Sequence, residues 1–231
     1  MSERSEGHER MPIRGHGVRT LLAVAHGTRF PAGQAQIRRL IDAVARRRPD
    51  VDVRLAYADV QQPRVADAVP DGAVVVPLLL SAGYHVRVDI ARAVAGRAAV
   101  VAPPLGPDPA LVASMRRHLG AADAVVLAAA GSSDPRWRAD VATVAAHLDA
   151  HVGYASGSER RVPDVVAGLR RAGAERVTVA AYLLAEGVFY RSLAGSGATT
   201  VTPPLCRDPA VADLVIRRYD SAVLTTVDRR L

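Results

Sequence analysis

The chain has 231 residues, of which 49% are hydrophobic and only 4% aromatic, so its core must consist mainly of Val, Leu and Ala. This composition favours buried parallel strands covered by helices and argues against an aromatic-rich β-sandwich. The formal charge of +7 is carried entirely by Arg, but these residues are scattered and accompany no recognised motif, which argues against a nucleic-acid partner.

Cysteine content and hydropathy narrow the class of protein further. Cys206 is the single cysteine, which excludes an internal disulfide and a cysteine-based metal cage. No run of about 18 apolar residues occurs, so we expect no membrane span and no membrane partner. Residues 1–19 are polar and resemble neither a signal peptide nor an anchor, so we expect a disordered lead and a cytoplasmic protein.

The first half of the chain predicts alternating strands and helices. The apolar run at 20–25 is typical of a buried parallel strand, and Ile37, Leu40, Ile41 and Val44 recur at helical spacing. The remaining predictions for this half, in chain order, are helix 34–48, strand 51–60, helix 63–69, strand 73–80, helix 86–95, strand 98–102 and helix 109–119.

The second half predicts nearly the same order of elements. They are strand 124–129, helix 137–150, strand 152–155, helix 162–171, strand 176–184, strand 199–202 and helix 209–219. Three sequence blocks also recur in order about 100 residues apart: LLAVAHGTRFP at 21 with VVLAAAGSSDP at 125, VPLLLSAGYHVR at 76 with AAYLLAEGVFYR at 180, and VAPPLGPDP at 101 with VTPPLCRDP at 201. The chain is therefore predicted to be a duplication.

Alternating strands and helices predict right-handed crossovers and parallel sheets. We expect an α/β fold of two tandem Rossmann-like units, each a parallel four-stranded sheet flanked by helices, with a cleft between them. The first unit is placed at 20–120, the second at 121–222, and a tail at 223–231.

Three polar residues follow strands of the first unit: His26, Asp59 and His85. Because ligands of parallel sheets lie beyond the carboxyl ends of the strands, these groups are expected to converge there. Two imidazoles and a carboxylate suit a divalent metal and leave a position open for substrate. The same residue types are also typical of hydrogen-bonded turns, so the spacing alone leaves both interpretations open.

The repeat gives a further argument for a chemical role. Ala130 occupies the position of His26, and Phe189 that of His85, whereas the glycines Gly27 and Gly131 are retained. The scaffold therefore does not require either histidine. This favours one working site in the first unit, although simple drift between the copies would leave the same pattern.

A resemblance to a known family is carried by AHGTR and by the later segment LLLSAGYHVRVDI, which contains Gly83, His85 and Asp89. The sequence resembles the sirohydrochlorin chelatases, which include ferrochelatases of sirohaem synthesis and cobaltochelatases of cobalamin synthesis. The resemblance covers residues 20–220 and implies two chelatase-like units. It implies that His26 and His85 bind the metal and are catalytic. Relatives often carry Glu where this chain has Asp59, whose shorter side chain contacts the metal directly or through water.

The resemblance also implies a substrate and its binding residues. Sirohydrochlorin would be the tetrapyrrole partner and Fe²⁺ or Co²⁺ the metal substrate, with no permanently bound cofactor. Iron, giving sirohaem, is preferred over cobalt, and a monomer or weak homodimer is expected. Substrate carboxylates would meet Arg side chains, and the flat ring would approach small residues. Asp89 would either orient His85 or simply favour the N-terminus of the helix. The predicted substrate-binding residues are Arg29, Arg64, Ser81, Ala82, Gly83 and Arg87.

Several roles remain open on the sequence. At the equivalent edge of the second unit, Tyr182, Glu186, Phe189 and Tyr190 either pack on the macrocycle or belong to the core, and Trp137 is assigned to an interface or the core. A non-catalytic metal or tetrapyrrole carrier would use the same donors. A phosphoryl-transfer enzyme with His26 as nucleophile ranks last, because Ala25 stands where such enzymes carry Arg.

Overall fold

A computed structural model gives the fold of residues 20–81 and 83–228, and it describes all of their side chains except those of residues 84–87 and 226–228. The predicted disordered lead, residues 1–19, lies outside the described residues. Among the helices of the described part, none is long and apolar enough to cross a membrane.

Two parallel four-stranded sheets form the frame of the molecule. The first contains β1 (Leu21–Ala25), β2 (Val53–Tyr57), β3 (Val74–Pro77) and β4 (Val100–Val101), in the order β2-β1-β3-β4. The second contains β5 (Ala124–Ala129), β6 (His151–Tyr154), β7 (Val177–Ala181) and β8 (Thr200–Val201), in the equivalent order β6-β5-β7-β8. The predicted fold class, two tandem α/β units with parallel sheets, is confirmed.

Helices connect the strands in both halves. The first half contains α1 (Pro31–Arg47), α2 (Val65–Ala68), α3 (Tyr84–Val94) and α4 (Pro109–Arg116). The second contains α5 (Pro135–Leu148), α6 (Val162–Arg171), α7 (Val188–Ser192) and α8 (Pro209–Asp228). Helices α1, α4, α5 and α8 begin with proline, whose missing N–H is not needed in the first turn.

Residues of each central strand alternate between two apolar layers. In β1, Leu21, Ala23 and Ala25 belong to a cluster that includes residues of both halves, whereas Leu22 and Val24 face a cluster confined to the first half. Both faces of the sheet are therefore covered by protein, which explains why its strands are continuous apolar runs. The shared cluster joins the two halves.

Several elements differ from the sequence predictions in their bounds, and one helix was not predicted. The strand predicted at 51–60 ends at Tyr57, because the chain turns there and Val60 takes a left-handed conformation with φ of 66°. Helix α7 was missed because it is short and contains no buried residue that would mark an apolar face. Helix α8 continues past the predicted end at 219, and it packs against α1 and β3 of the first half.

Candidate functional site

The loops that follow β1 and β2 meet at the carboxyl edge of the first sheet. The backbone N–H of Asp59 donates to the carbonyl oxygen of His26 over 2.9 Å, and that of Ala58 donates to Ala25 over 2.9 Å. Gly27 permits the contact, because it has a φ of +100° and a Cβ there would lie 2.1 Å from the Asp59 carbonyl oxygen. His26 and Asp59 are thus fixed beside each other by the backbone.

The Asp59 carboxylate is exposed and makes two hydrogen bonds. It accepts from the backbone N–H of Val60 over 2.7 Å and from Arg64 Nη1 over 2.9 Å. The Val60 N–H, then the Arg64 guanidinium and more weakly His26, hold the pKa of Asp59 below its usual range. The carboxylate is therefore ionised near neutral pH and available to a cation.

A cleft of about 810 Å³ opens beside these residues. Its polar lining combines one imidazole, two carboxylates and several guanidinium groups: His26, Asp59, Arg64, Asp89, Arg92 and Arg97. Small apolar residues complete the wall, among them Ala58, Ala66 and Ala93. The cleft thus offers metal donors next to cationic groups that suit an acidic ligand.

The third predicted loop leads from β3 to α3. His85 lies in the first turn of α3, but its side chain and that of Arg87 are outside the described residues, as is Ala82 as a whole. Gly83 precedes the helix and donates its N–H to the Ser81 carbonyl oxygen over 2.9 Å. Asp89, one turn further along, is exposed and lines the cleft.

The arginines predicted to bind substrate occupy different surroundings. Arg29 is exposed at the loop after β1. Arg64 is bound to the Asp59 carboxylate and also donates to the Ala58 carbonyl oxygen over 3.1 Å, so it fixes the loop that follows β2. Arg92 also lines the cleft, but it was not predicted from the sequence. Because it follows Asp89 by three residues on a helix, the two share a helix face, and this spacing could have indicated Arg92.

Ser81 is not among the residues that line the cleft. Its side chain is 6% exposed, and its Oγ donates to Asp140 of α5 over 2.6 Å. The side chain of this residue therefore contacts the second half of the chain.

A metal site made of described side chains alone is not present. Among the side chains that the structure describes, no group of three or more His, Cys, Asp or Glu residues is arranged to hold a metal ion. His26 and Asp59 form a pair on the cleft wall. A further donor would have to come from outside this set, and the predicted one is His85.

The second half retains the backbone of the site without its donors. Ser156 N–H donates to the Ala130 carbonyl oxygen over 2.9 Å, as Asp59 does to His26, and Gly131 has a φ of +108°. The equivalent position therefore carries a methyl group and a hydroxyl in place of an imidazole and a carboxylate. Phe189, at the place of His85, is 38% exposed at the start of α7.

Three of the aromatic or acidic residues left open in the second half have structural contacts. Tyr182 is 3% exposed and belongs to the shared core, and Tyr190 donates its hydroxyl to the Thr202 carbonyl oxygen over 3.0 Å. The Glu186 carboxylate accepts from the Gln36 side chain over 2.7 Å. Trp137 packs on the core with its ring 6.0 Å from that of Tyr154.

The family model described as CbiX matches the chain twice, over residues 20–122 and 124–222. The chain belongs to the CbiX family. The predicted resemblance to the sirohydrochlorin chelatases is thereby confirmed, since a curated relative named sirohydrochlorin cobaltochelatase, from Methanosarcina barkeri (strain Fusaro / DSM 804), is also similar to this chain. That relative is 28% identical over 79 residues, which are 31% of this chain and 61% of the relative. The match therefore spans less than two thirds of the relative's length.

Solved structures share the whole two-sheet architecture. SirB from Bacillus subtilis with Fe³⁺ has a TM-score of 0.70 at 19% identity, covering 89% of this chain and 95% of that one. The structure titled CbiX, the terminal enzyme for biosynthesis of siroheme in denitrifying bacteria, has a TM-score of 0.68 at 24% identity, covering 88% and 99%. At these identities the likeness establishes the fold.

Proposed function

We propose that this chain is a sirohydrochlorin chelatase, which inserts a divalent metal ion, preferably Fe²⁺, into the macrocycle to give sirohaem. Membership of the CbiX family supports the activity. The structural observation that carries the proposal is the pairing of His26 and Asp59 on the wall of an open cleft of about 810 Å³. The volume suits a sizeable organic ligand.

The donor set fits an ion that must be released. Metal insertion requires an ion that has lost part of its water shell but is held weakly enough to pass to the pyrrole nitrogens. His26, His85 and Asp59 would supply up to three ligands and leave positions open, whereas a closed site of four ligands would retain the metal. Metal and substrate would thus meet beside the cleft wall that carries His26 and Asp59.

Two pyrrole protons must leave as the metal enters. An imidazole nitrogen that has passed the metal to the macrocycle is free to accept one of these protons, and His26 is exposed on the cleft wall, where it can then pass the proton to solvent. His85 would share this role. Asp89, on α3 with His85, would orient that imidazole.

The cationic groups around the cleft fit an acidic macrocycle. We assign Arg29, Arg87 and Arg92 to the carboxylates of sirohydrochlorin, because guanidinium groups bind carboxylates in a bidentate manner. Arg64 would act through Asp59. The backbone of Ser81 and Gly83 and the exposed ring of Phe189 would border the flat faces of the substrate, and Ala82 stays a prediction from the sequence.

The proposal is tested by mixing purified protein with sirohydrochlorin and each of Fe²⁺, Co²⁺ and Ni²⁺ without oxygen, and following the absorption spectrum of the macrocycle. His26→Ala and His85→Ala should each lower turnover by about 100-fold or more, because each removes a proposed metal ligand, and the imidazole that releases the metal is also the proposed proton acceptor. His151→Ala, an exposed histidine of the second half, is the matched control and should leave turnover unchanged. Full turnover in both site variants would contradict the assignment.

Cobalt insertion is the second candidate, favoured by the name of the curated relative. The ratio of kcat/KM for Co²⁺ and Fe²⁺ in the same assay decides between them. Stoichiometric metal binding without any turnover would instead indicate a carrier. We further propose that a monomer suffices, because one chain supplies both sheets, and size-exclusion chromatography with light scattering checks it.

A further inference from the structure

The second half of the chain holds the loop after β3 at two consecutive residues. Ser81 donates its hydroxyl proton to the Asp140 carboxylate, with 2.6 Å between Oγ and Oδ2. Tyr182 donates its phenol proton to the carbonyl oxygen of Leu80 over 2.5 Å. These two residues lie shortly before α3, the helix that carries His85. The connection from the second half to that helix is therefore short.

The donor of each contact is a buried side chain. Ser81 is 6% exposed and Tyr182 is 3% exposed. Burial, together with the Asp140 carboxylate, holds the pKa of Tyr182 above its usual range, so its hydroxyl stays protonated and remains a donor. Gly106 packs against the Leu80 carbonyl oxygen so closely that a Cβ at Gly106 would lie 2.2 Å from that oxygen. The loop is thus enclosed at this point.

The first half of the chain makes an equivalent contact to a loop of the second half. Gln36 of α1 donates its side-chain amide to the Glu186 carboxylate over 2.7 Å and accepts the Glu186 backbone N–H over 2.8 Å. Gln36 and Asp140 occupy the same place in the repeat, equally far after Pro31 and Pro135, which begin α1 and α5. In each half, the first helix therefore holds the loop that follows the third strand of the other half.

We propose that Asp140 and Tyr182 are positioning residues for the metal site, which fix the loop after β3 and so keep His85 at a constant distance from His26. The inference rests on the proposed function, in which the two histidines hold the metal. It assigns the second half a part in the reaction although that half carries neither histidine. Displacement of a reacting group by about 1 Å can lower a rate on the order of 100-fold, so a small shift of this loop matters.

Tyr182→Phe, Asp140→Ala and Ser81→Ala each remove one of these contacts. We expect each to lower kcat for metal insertion by about 10-fold or more while KM for sirohydrochlorin stays close to the wild-type value. The affinity for Co²⁺ should fall, and the visible absorption of bound Co²⁺, which reports its ligand geometry, should change. Asp140→Asn keeps an acceptor for the Ser81 hydroxyl and should restore the wild-type spectrum and much of kcat.

Thr178→Val is the matched control. Thr178 donates its hydroxyl to the Leu119 carbonyl oxygen over 3.1 Å and is 4% exposed, but it lies at the opposite end of β7 from Tyr182. Losing this buried bond should lower the thermal unfolding midpoint about as much as Tyr182→Phe does. It should leave kcat and the Co²⁺ spectrum unchanged, which separates positioning from general stability.

Wild-type kcat and Co²⁺ spectrum in folded Tyr182→Phe and Ser81→Ala would overturn the inference. These two variants each remove one hydroxyl, so they carry the test even where Asp140→Ala does not fold. Loss of activity in His26→Ala together with unchanged Tyr182→Phe refutes only the positioning role. Full activity in both His26→Ala and His85→Ala refutes the proposed function itself.

Discussion

The two halves of the molecule share a backbone and differ in the groups that it presents. Both sheets have the same strand order, and both carry a glycine with positive φ, Gly27 or Gly131, directly after the position that His26 occupies in the first half. At the edge itself the first half has His26 and Asp59, and the second half has Ala130 and Ser156. Backbone geometry has therefore been retained where side-chain chemistry has not.

This difference separates what the scaffold needs from what the site needs. The hydrogen bond from Ser156 N–H to Ala130 repeats the bond from Asp59 to His26, so the turn forms without an imidazole or a carboxylate. A residue that the turn does not require must be explained by something else, and metal chemistry is the explanation proposed above. Substitutions at four places in the molecule test this difference between the halves.

The largest effect is expected from alanine at the two equivalent glycines. Gly27→Ala should destabilise the protein by about 3 kcal/mol or more, for two reasons. Alanine is strained at the positive φ of this position, and its methyl group would lie 2.1 Å from the Asp59 carbonyl oxygen. Gly131→Ala should cost less, since the nearest atoms to its Cβ, the Ser156 hydroxyl at 2.8 Å and the Ser156 carbonyl oxygen at 2.9 Å, lie farther away than the atom that Gly27→Ala meets. Urea unfolding measures both.

The control for this pair is Gly96→Ala, which has a φ of +74° and nothing within 4 Å of a Cβ. It isolates the conformational cost, about 1–2 kcal/mol. Only Gly27→Ala should also weaken Co²⁺ binding. Equal losses of Co²⁺ affinity in Gly27→Ala and Gly131→Ala would remove the asymmetry between the halves.

A smaller loss of stability is expected from removing the contact that Gln36 of the first half makes with Glu186 of the second half. Gln36→Ala should lower the free energy of unfolding by about 1–3 kcal/mol, because it leaves the Glu186 N–H without its acceptor. Urea unfolding checks this, with the exposed Arg38→Ala on the same helix as control. Since Gln36 holds the loop of the second half, kcat should stay near wild type, in contrast to Asp140→Ala. A matching fall in kcat would show that the two crossed contacts act alike.

A smaller, pH-dependent loss of stability is expected from removing an ion pair within the second half, between Asp123 and Arg176. Asp123 accepts hydrogen bonds from the Arg176 side chain and backbone, and these hold the pKa of Asp123 below its usual range. A lowered carboxyl pKa stabilises the fold above the unfolded-state value, about 3.9, and this stabilisation is lost as pH falls through the folded-state value. Asp123→Asn should therefore lower the thermal midpoint at pH 7, and the difference from wild type should shrink at acid pH. A difference independent of pH would assign the loss to packing.

The smallest effect is expected from placing a histidine in the second half. Ala130→His should bind no additional Co²⁺, because the adjacent position is Ser156, whose hydroxyl already donates to the Ala130 carbonyl oxygen over 2.7 Å. Titration with Co²⁺ measures the stoichiometry, which should equal that of the wild type. A second bound ion would mean that one imidazole suffices, and Asp59 would lose its proposed role.

Much of this molecule could be predicted because the determining signals are local or periodic. Apolar runs located the strands, and β5 and α6 have the predicted bounds, since each is delimited by clear polar or turn residues. The duplicated blocks predicted two units of the same topology. The meeting of His26 with Asp59 followed from the parallel arrangement alone, because neighbouring parallel strands end at one edge.

Only the tertiary structure decided which way the polar side chains point and what they contact. Ser81, expected beside the substrate, donates to Asp140, and Arg64, expected to bind substrate, is paired with Asp59. The extension of α8 depends on its packing against the first half, which no pattern within the helix reveals. Periodicity specifies the face on which a residue lies, whereas its partner is chosen by packing between segments far apart in the chain. For that reason the sequence determined the fold and the candidate ligands, and the tertiary structure determined how the second half contacts them.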